Sequence, residues 1–458
     1  MRKAEGKRQK AKLCVIAIVL SAGIAAGAGR PPLVEAVKSS DRAALRALLA
    51  KKIDVNTAEA DGTTALHWAS HNDDLESAEL LIRAGANVNA ANDLGATPLW
   101  IACETGSAAM VKALLQAGAN PNLKLLLGET PLMVASRSGN ADVVEQLIRK
   151  GADVNAKAAR GQTALMWAVA QRHPDAVKVL LAHAADVRQR SDVWHQVVAV
   201  PPHGVPLYNK SLAQGGDTAL LFAARAGDVK SARLLVAAGA DVNDADAWGV
   251  SATALAAHSG FGALVELLLE GGADANAAAA GFSPLHAAIM RRDLRVATAL
   301  LAKGADANAP LKAWTPTRRS SKDFNFAPEL VGATPYWLAA RFSEPDMMRL
   351  LLQHGADARV VHHGNYHNEE PVEPRSYVTN AAMAATGMGG GLAWVQPDRR
   401  EREALMLEAV TLAVEHGADV NAVNTDGRTA LDAARALKFE RVVSFLLEHG
   451  ARAGTTKR

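Results

Sequence analysis

A short phrase recurs along this chain at a nearly constant distance. It reads Thr or Ser, then Pro or Ala, then Leu in seven of nine copies, and an apolar run follows. A second phrase, Gly-Ala-Asp/Asn-x-Asn or a close variant, starts 21 residues after most copies of the first. Two phrases held at one offset indicate a structural repeat of about 33 residues. The first phrase starts at Thr64, Thr97, Thr130, Thr163, Thr218, Ser251, Ser283, Thr334 and Thr429.

Two copies of the first phrase are the most complete: TALHWAS from Thr64 and SPLHAAI from Ser283. Both are close to TPLHLAA of the ankyrin repeat family, and the chain resembles that family over about residues 31–454. The resemblance implies an all-α fold, an ankyrin repeat solenoid of about 10–11 helix–turn–helix units. It further implies β-hairpin-like loops between the units, several of them enlarged by long insertions.

The residue types agree with this interpretation. Thr64 is a favourable N-cap residue, and Pro98 lies in a first helical turn, where proline loses no hydrogen bond. Gly106 is expected to end a first helix, and Gly85 to take the left-handed conformation after a second helix. In the repeat from Thr163 this second position is Ala184, where a side chain is penalised.

Interruptions of the period predict the domain organisation. We expect an N-terminal capping repeat at 31–63 and ankyrin repeats over 64–359, with insertions near 188–216 and 310–330. An inserted loop follows at 360–378. Degenerate and C-terminal capping repeats follow at 379–454, split by a further insertion near 387–402. Insertions in repeat proteins fall in loops, here at the hairpin tips, where they reflect either tolerated drift or partner binding.

Residues 1–28 have the order of a secretory signal peptide: a basic stretch, an apolar run from Leu13 to Leu20, and small residues. We place cleavage after Ala28. The alternative is an uncleaved membrane anchor formed by residues 13–29. After cleavage the protein is expected in the periplasm or secreted. The one remaining cysteine, Cys103, fits a protein that does not depend on disulfides.

Charge and composition exclude several classes of function. The formal net charge of the whole chain is +3, and the N-terminal segment alone has a net charge of +5. The remainder of the chain therefore has a net charge of about −2. Nucleic-acid binding is therefore not indicated for the repeats. Hydrophobic residues make up 49% of the chain, which is too apolar for disorder. Aromatic residues make up only 4% and alanine is abundant, which favours closely stacked small helices over β-sandwiches. We expect a monomer without cofactors.

Several candidate sites have structural explanations. His67 and His286 occupy the histidine position of the ankyrin phrase, which implies a hydrogen bond within their own turn. Trp68, Trp167 and Phe222 share one register, and we interpret them as packing between repeats.

The densest polar cluster lacks the helix that would hold metal ligands at a fixed spacing, so we predict no metal site. It consists of His362, His363, His367, Glu369, Glu370 and Glu373. Gly387 and the run 389–391 read as a flexible turn and not a phosphate loop, because no Lys-Ser/Thr follows. No arrangement of nucleophile, base and acid is visible, and we predict that the protein is not an enzyme.

One loop stands apart. Leu125, Leu126 and Leu127 follow one another where the family places a hairpin tip, and the equivalent tips at 91–95 and 157–161 have no such run. The run predicts either a protein-binding site or a patch covered by a neighbouring insertion. The chain is thus predicted to be a non-catalytic interaction scaffold in the periplasm. The alternatives are a secreted effector acting on a host or neighbouring cell, and a periplasmic ligand- or metal-binding protein that uses its insertions.

Overall fold

The computed structural model describes residues 31–198, 209–315, 326–367, 374–391, 397–398 and 401–455. The predicted signal peptide lies outside this part of the chain. The chain divides into two compact units, Met1–Asp192 and Val193–Arg458, called here the N-terminal and C-terminal units.

The N-terminal unit contains, in its described part, five pairs of antiparallel helices. They are α1 (Pro32–Lys38) with α2 (Arg42–Ala50), α3 (Ala65–His71) with α4 (Leu75–Arg83), α5 (Pro98–Thr105) with α6 (Ala108–Gln116), α7 (Pro131–Ser138) with α8 (Ala141–Arg149), and α9 (Ala164–Ala170) with α10 (Pro174–Ala182).

The C-terminal unit contains six further pairs within its described ranges, together with two β-hairpins. The helices are α11 (Ala219–Ala226) with α12 (Val229–Ala237), α13 (Ala252–Ser259) with α14 (Gly262–Glu270), α15 (Pro284–Met290) with α16 (Leu294–Ala302), α17 (Pro335–Arg341) with α18 (Pro345–Gln353), α19 (Ala381–Ala385) with α20 (Arg402–Glu415), and α21 (Ala430–Leu437) with α22 (Glu440–Glu448). The expected solenoid of 10–11 helix–turn–helix units is confirmed.

Each repeat begins and ends its helices with the same chemistry. In α5, the Thr97 hydroxyl accepts a hydrogen bond from Trp100 N at 3.2 Å, and Pro98 occupies the first turn. Gly106 ends the helix with φ of 79°, a left-handed conformation that a Cβ would strain. These positions recur in the other repeats because the two phrases fix both ends of the first helix.

The core forms between like helices of successive repeats. Within each unit the first helix of a pair packs on the first helix of the next pair, and second helices pack on second helices. Small side chains such as Ala102 and Ala135 are fully buried between first helices and allow their close approach. The largest buried side chain of the N-terminal unit, Trp100, stands three residues after the N-cap Thr97.

A side-chain amide joins neighbouring repeats along the loops wherever the second phrase ends in asparagine, as Asn122 and Asn276 show. Asn122 donates a hydrogen bond to Gly151 O at 2.8 Å, and its Oδ1 accepts one from Asp153 N at 2.8 Å. Asn276 makes the same pair with Gly304 O and Asp306 N, at 2.8 and 2.7 Å. The last residue of the second phrase thus satisfies one backbone acceptor and one backbone donor of the following repeat.

Two insertions form antiparallel hairpins that enlarge the loop tips. β1 (Val193–Val198) pairs with β2 (Lys210–Gly215), and β3 (Val361–His367) pairs with β4 (Pro374–Asn380). The insertion near 310–330 is closed at its described base by hydrogen bonds between Thr315 and Phe326. Thr315 N donates to Phe326 O at 3.0 Å, and Phe326 N donates to the Thr315 hydroxyl at 2.8 Å. Insertion at a hairpin tip leaves the helix stack of each unit unchanged.

Ala184 adopts the strained conformation that its position in the repeat predicts, with φ of 61°. We expect Ala184→Gly to raise the free energy of unfolding by about 1 kcal/mol, because an exposed left-handed residue gains from losing its Cβ. Urea denaturation midpoints measure the change. The matched control is Gly151→Ala, at φ of 86°, where an added Cβ meets no atom within 4 Å. It should lower the midpoint through backbone strain alone. A lower midpoint for Ala184→Gly would contradict the argument.

Candidate interaction surface

The loop tips of the N-terminal unit form a continuous, hydrogen-bonded row. Within one tip, Gly128 N donates to Leu125 O at 2.8 Å. Between tips, Leu126 N donates to Leu94 O at 3.1 Å and Ala159 N donates to Leu127 O at 2.8 Å. These bonds hold the middle tip on both sides, so its side chains project from a fixed backbone.

The three leucines selected from the sequence share this middle tip and differ in exposure. Leu126 is 74% exposed and Leu127 is 67% exposed, whereas Leu125 is half-buried. The adjacent tips bond to the backbone of the leucines and leave these two side chains in water. Two adjacent leucines left exposed form an unusual apolar projection on a surface loop.

Close approach of the tips requires glycine at two positions. Gly95 has φ of 81°, and a Cβ there would lie 2.9 Å from Lys124 O of the next tip. Gly128 has the same φ, and its Cβ would lie 3.3 Å from Ala158. The glycine that ends each tip therefore allows the next tip to stack on it, which supports the row from which the leucines project.

The surroundings of the leucines are charged. Lys124 precedes them and is exposed, and exposed Asp93, Lys157 and Arg160 belong to the neighbouring tips. An apolar centre with charged residues around it is the usual arrangement of a protein-binding patch. Basic side chains predominate at this rim.

The aromatic register contains side chains that are less buried than the sequence predicts. Trp68 and Trp167 are half-buried, and a cation covers each ring. Lys38 Nζ lies 4.3 Å from the Trp68 ring centroid, and the Arg137 guanidinium lies 5.0 Å from that of Trp167. Phe222 is also half-buried. The packing interpretation therefore needs correction: all three rings form part of the helix surface, and cation–π contacts cover those of Trp68 and Trp167.

The sequence analysis did not predict that Lys38 and Arg137 cover these rings, although the register of Arg137 in its repeat indicates a contact with the neighbouring repeats. Arg137 stands seven residues after Thr130, and Glu104 stands seven after Thr97. Arg137 Nη2 lies 3.4 Å from Glu104 Oε1, so ion pair and ring contact link three successive repeats. Residues at one register position meet across repeats because the helices stack in parallel rows.

His67 joins its own turn to the next repeat. Thr64 N donates to His67 Nδ1 at 3.1 Å, and His67 Nε2 lies 3.0 Å from Ala96 O. The bonded groups assign a neutral ring with its proton on Nε2. Burial lowers the pKa of His67 to about 4. His286 makes the same capping contact with Ser283, and burial lowers its pKa to about 4 as well.

Two side chains of the predicted histidine and glutamate cluster, those of His362 and His363, lie in the described part of the chain. His362 is buried, with its ring 4.2 Å from that of Trp337 and its Nε2 3.0 Å from Glu329 O. His363 is exposed on the other face of the strand. The side chain of His367, together with Glu369, Glu370 and Glu373, lies outside the described residues. No group of three metal-binding side chains occurs in the part of the chain that the structure describes.

The glycine run 389–391, predicted to be a flexible turn, is instead packed against α17. Arg341 Nε donates to Gly389 O and its Nη2 donates to Gly391 O, each at 3.0 Å. A Cβ on Gly389 would lie 2.9 Å from the Trp337 ring. The glycines therefore allow the chain to pack directly on α17, where Arg341 holds their carbonyl groups.

Comparison with known families identifies the repeat. The model for ankyrin repeats in three copies matches residues 10–92, 33–125, 99–191 and 220–310, and the single ankyrin repeat model matches 331–363. The chain belongs to the ankyrin repeat family.

Individual proteins add less to this assignment. A search of curated proteins gave no match. The crystal structure of the human ASB11 ankyrin repeat domain is 30% identical, and its alignment covers 53% of this ankyrin repeat protein and 98% of that domain, with a TM-score of 0.44.

Ankyrin repeats generally mediate protein–protein interactions, which is consistent with a protein partner for this chain.

Cys103 is buried, and burial raises the pKa of its thiol well above the usual range, which makes it unreactive. None of the described helices is long and apolar enough to cross a bilayer.

Protonation of the capping histidines should destabilise the protein. Their folded-state pKa of about 4 lies below the unfolded value of about 6.5, so their contribution is complete above pH 6.5 and is lost as pH falls toward 4. The loss is about 3 kcal/mol per histidine at most. We expect the stability difference between wild type and His67→Gln/His286→Gln to shrink over this range in urea titrations.

Glutamine retains a capping acceptor and does not titrate near these pH values. All other titrating groups are common to the wild type and the double variant, so the difference between their free energies of unfolding reports on the two histidines. A stability difference that stays constant between pH 7 and pH 4 would show that the histidines do not titrate as described.

Proposed function

We propose that this ankyrin repeat protein is a non-catalytic scaffold that binds a protein partner through the loop tips of its N-terminal unit. The observation that carries the proposal is the exposure of Leu126 and Leu127, at 74% and 67%, on a tip fixed by backbone hydrogen bonds to both neighbours. A rigid tip loses little conformational freedom on binding, which favours its use as an anchor.

The energetics support a contact of useful strength. Burying one leucine contributes about 1.5–3 kcal/mol. Two leucines can therefore contribute a large part of the roughly 8 kcal/mol that a micromolar complex requires. The basic residues at the rim, Lys124, Lys157 and Arg160, favour a partner with an apolar pocket and acidic residues around it.

We further propose that the protein acts in the periplasm after removal of residues 1–28. This part of the proposal is supported by the order of basic, apolar and small residues in that segment. A periplasmic location would expose the tip row to other exported proteins.

Replacing the two exposed leucines tests the binding surface. Leu126→Ser/Leu127→Ser should weaken capture of the partner from a periplasmic extract by about tenfold or more, because the apolar anchor is lost. The urea midpoint should stay near the wild-type value, since both side chains are in water. The matched control is Val423→Ser, an apolar residue 51% exposed in the loop that precedes α21.

Two results would contradict the proposed surface. A large fall in the urea midpoint without specific loss of binding would show that the leucines stabilise the fold. An equal effect of Val423→Ser would show that capture reflects general stickiness. Photo-crosslinking from position 126 identifies the partner directly.

Export has its own test. N-terminal sequencing of the protein isolated from its natural host should give a mature chain that starts near Gly29. Retention of Met1 in soluble cytoplasmic protein would exclude export, and retention of Met1 in a membrane fraction would favour the uncleaved anchor.

A further inference from the structure

A cavity of about 360 Å³ lies within the C-terminal unit, between the end of α17, the loop after α19, the start of α20 and the helix α21. Three arginines line it: Arg341, Arg402 and Arg428. No aspartate or glutamate occurs among its described lining residues. The volume falls in the range of small-molecule sites.

The three guanidinium groups have no carboxylate partner among the described residues, where ion pairs within 4 Å occur for other arginines of this unit. Arg225 pairs with Asp217 at 3.1 Å, and Arg295 pairs with Glu266 at 2.8 Å. Like charges gathered in a partly enclosed space repel one another and favour binding of an anion. The described walls of the cavity therefore carry a positive charge that no described lining carboxylate balances.

Arg341 is held in place with donors to spare. Its Nε and Nη2 donate to Gly389 O and Gly391 O, which are neutral acceptors. A guanidinium has five N–H groups, so three remain for a ligand. Burial, and to a lesser extent the charge of Arg402, lowers the pKa of Arg341, an effect that a bound anion would reverse.

The N-terminus of α20 lies at the cavity, and its acidic residues Glu401 and Glu403 are not among the described lining residues. This helix has 14 residues, and no side chain caps its N-terminus. Arg402 and Met406, one turn apart in its first turns, both line the cavity. The dipole of the helix thus places partial positive charge beside the arginines.

We propose that this cavity binds a small organic phosphate, a phosphomonoester with a compact apolar group. A phosphomonoester carries close to two negative charges at neutral pH and three acceptor oxygens, which suits three guanidinium groups better than one carboxylate does. The apolar group fits the other wall, where Phe342 and Met406 are buried and Met388 is half-buried.

The test uses the full chain with phenyl phosphate as the probe, followed by calorimetric titration at low salt. We expect saturable binding at one site, tighter than that of inorganic phosphate. Arg402→Gln and Arg428→Gln should each weaken it about tenfold or more, because a charge-assisted hydrogen bond is lost. Arg341 is left unchanged because it also holds the glycine carbonyls.

Arg435→Gln is the matched control, since Arg435 is exposed on α21 and does not line the cavity. It should bind phenyl phosphate as wild type does. Equal weakening by Arg435→Gln, equal binding of inorganic phosphate, or no saturable binding would each overturn the proposal. Urea midpoints show whether each variant folds. One of the two variants Arg402→Gln and Arg428→Gln with the wild-type midpoint is enough to test the site. Wild-type affinity of Leu126→Ser/Leu127→Ser for phenyl phosphate would show that this site is separate from the partner surface.

Discussion

The structure depends on one side-chain amide that bridges neighbouring repeats. Asn122, for example, uses its amide group to donate to Gly151 O and to accept from Asp153 N. Only a side chain with both a donor and an acceptor at its end can satisfy both backbone groups at once. This link sets the spacing of the loops. The tip row, with its stacked glycines, follows from that spacing.

The positions that lack this amide precede the two β-hairpins. Arg188 and Arg359 stand where most repeats have asparagine, and β1 and β3 begin a few residues later. Arginine has no acceptor and cannot make the double bridge. In the second case Asn380, at the end of β4, donates to Asp419 O at 2.8 Å. The insertion thus supplies an amide of its own to the following repeat.

Both proposed binding sites occur at exceptions to the repeat. Leu126 stands where the neighbouring tips have Asp93 and Ala159, and with Leu127 it projects from a tip that the stacking already holds rigid. The cavity occurs where the degenerate repeat separates α19 from α20, so that Arg341, Arg402 and Arg428 line one space. A scaffold whose stability is spread over many similar repeats can tolerate such local departures, since each repeat contacts only its neighbours.

The sequence by itself determined the family, the helix ends and the strained Ala184, because these depend on local backbone chemistry repeated at a fixed period. It also selected the leucine tip. Only the tertiary structure decided that Leu126 and Leu127 are exposed, that Trp68 and Trp167 lie under cations, and that the glycine run packs on α17. It alone brought the three arginines together, because insertions of irregular length separate Arg341 from Arg402 and Arg428 along the chain, and no fixed spacing relates residues across such insertions.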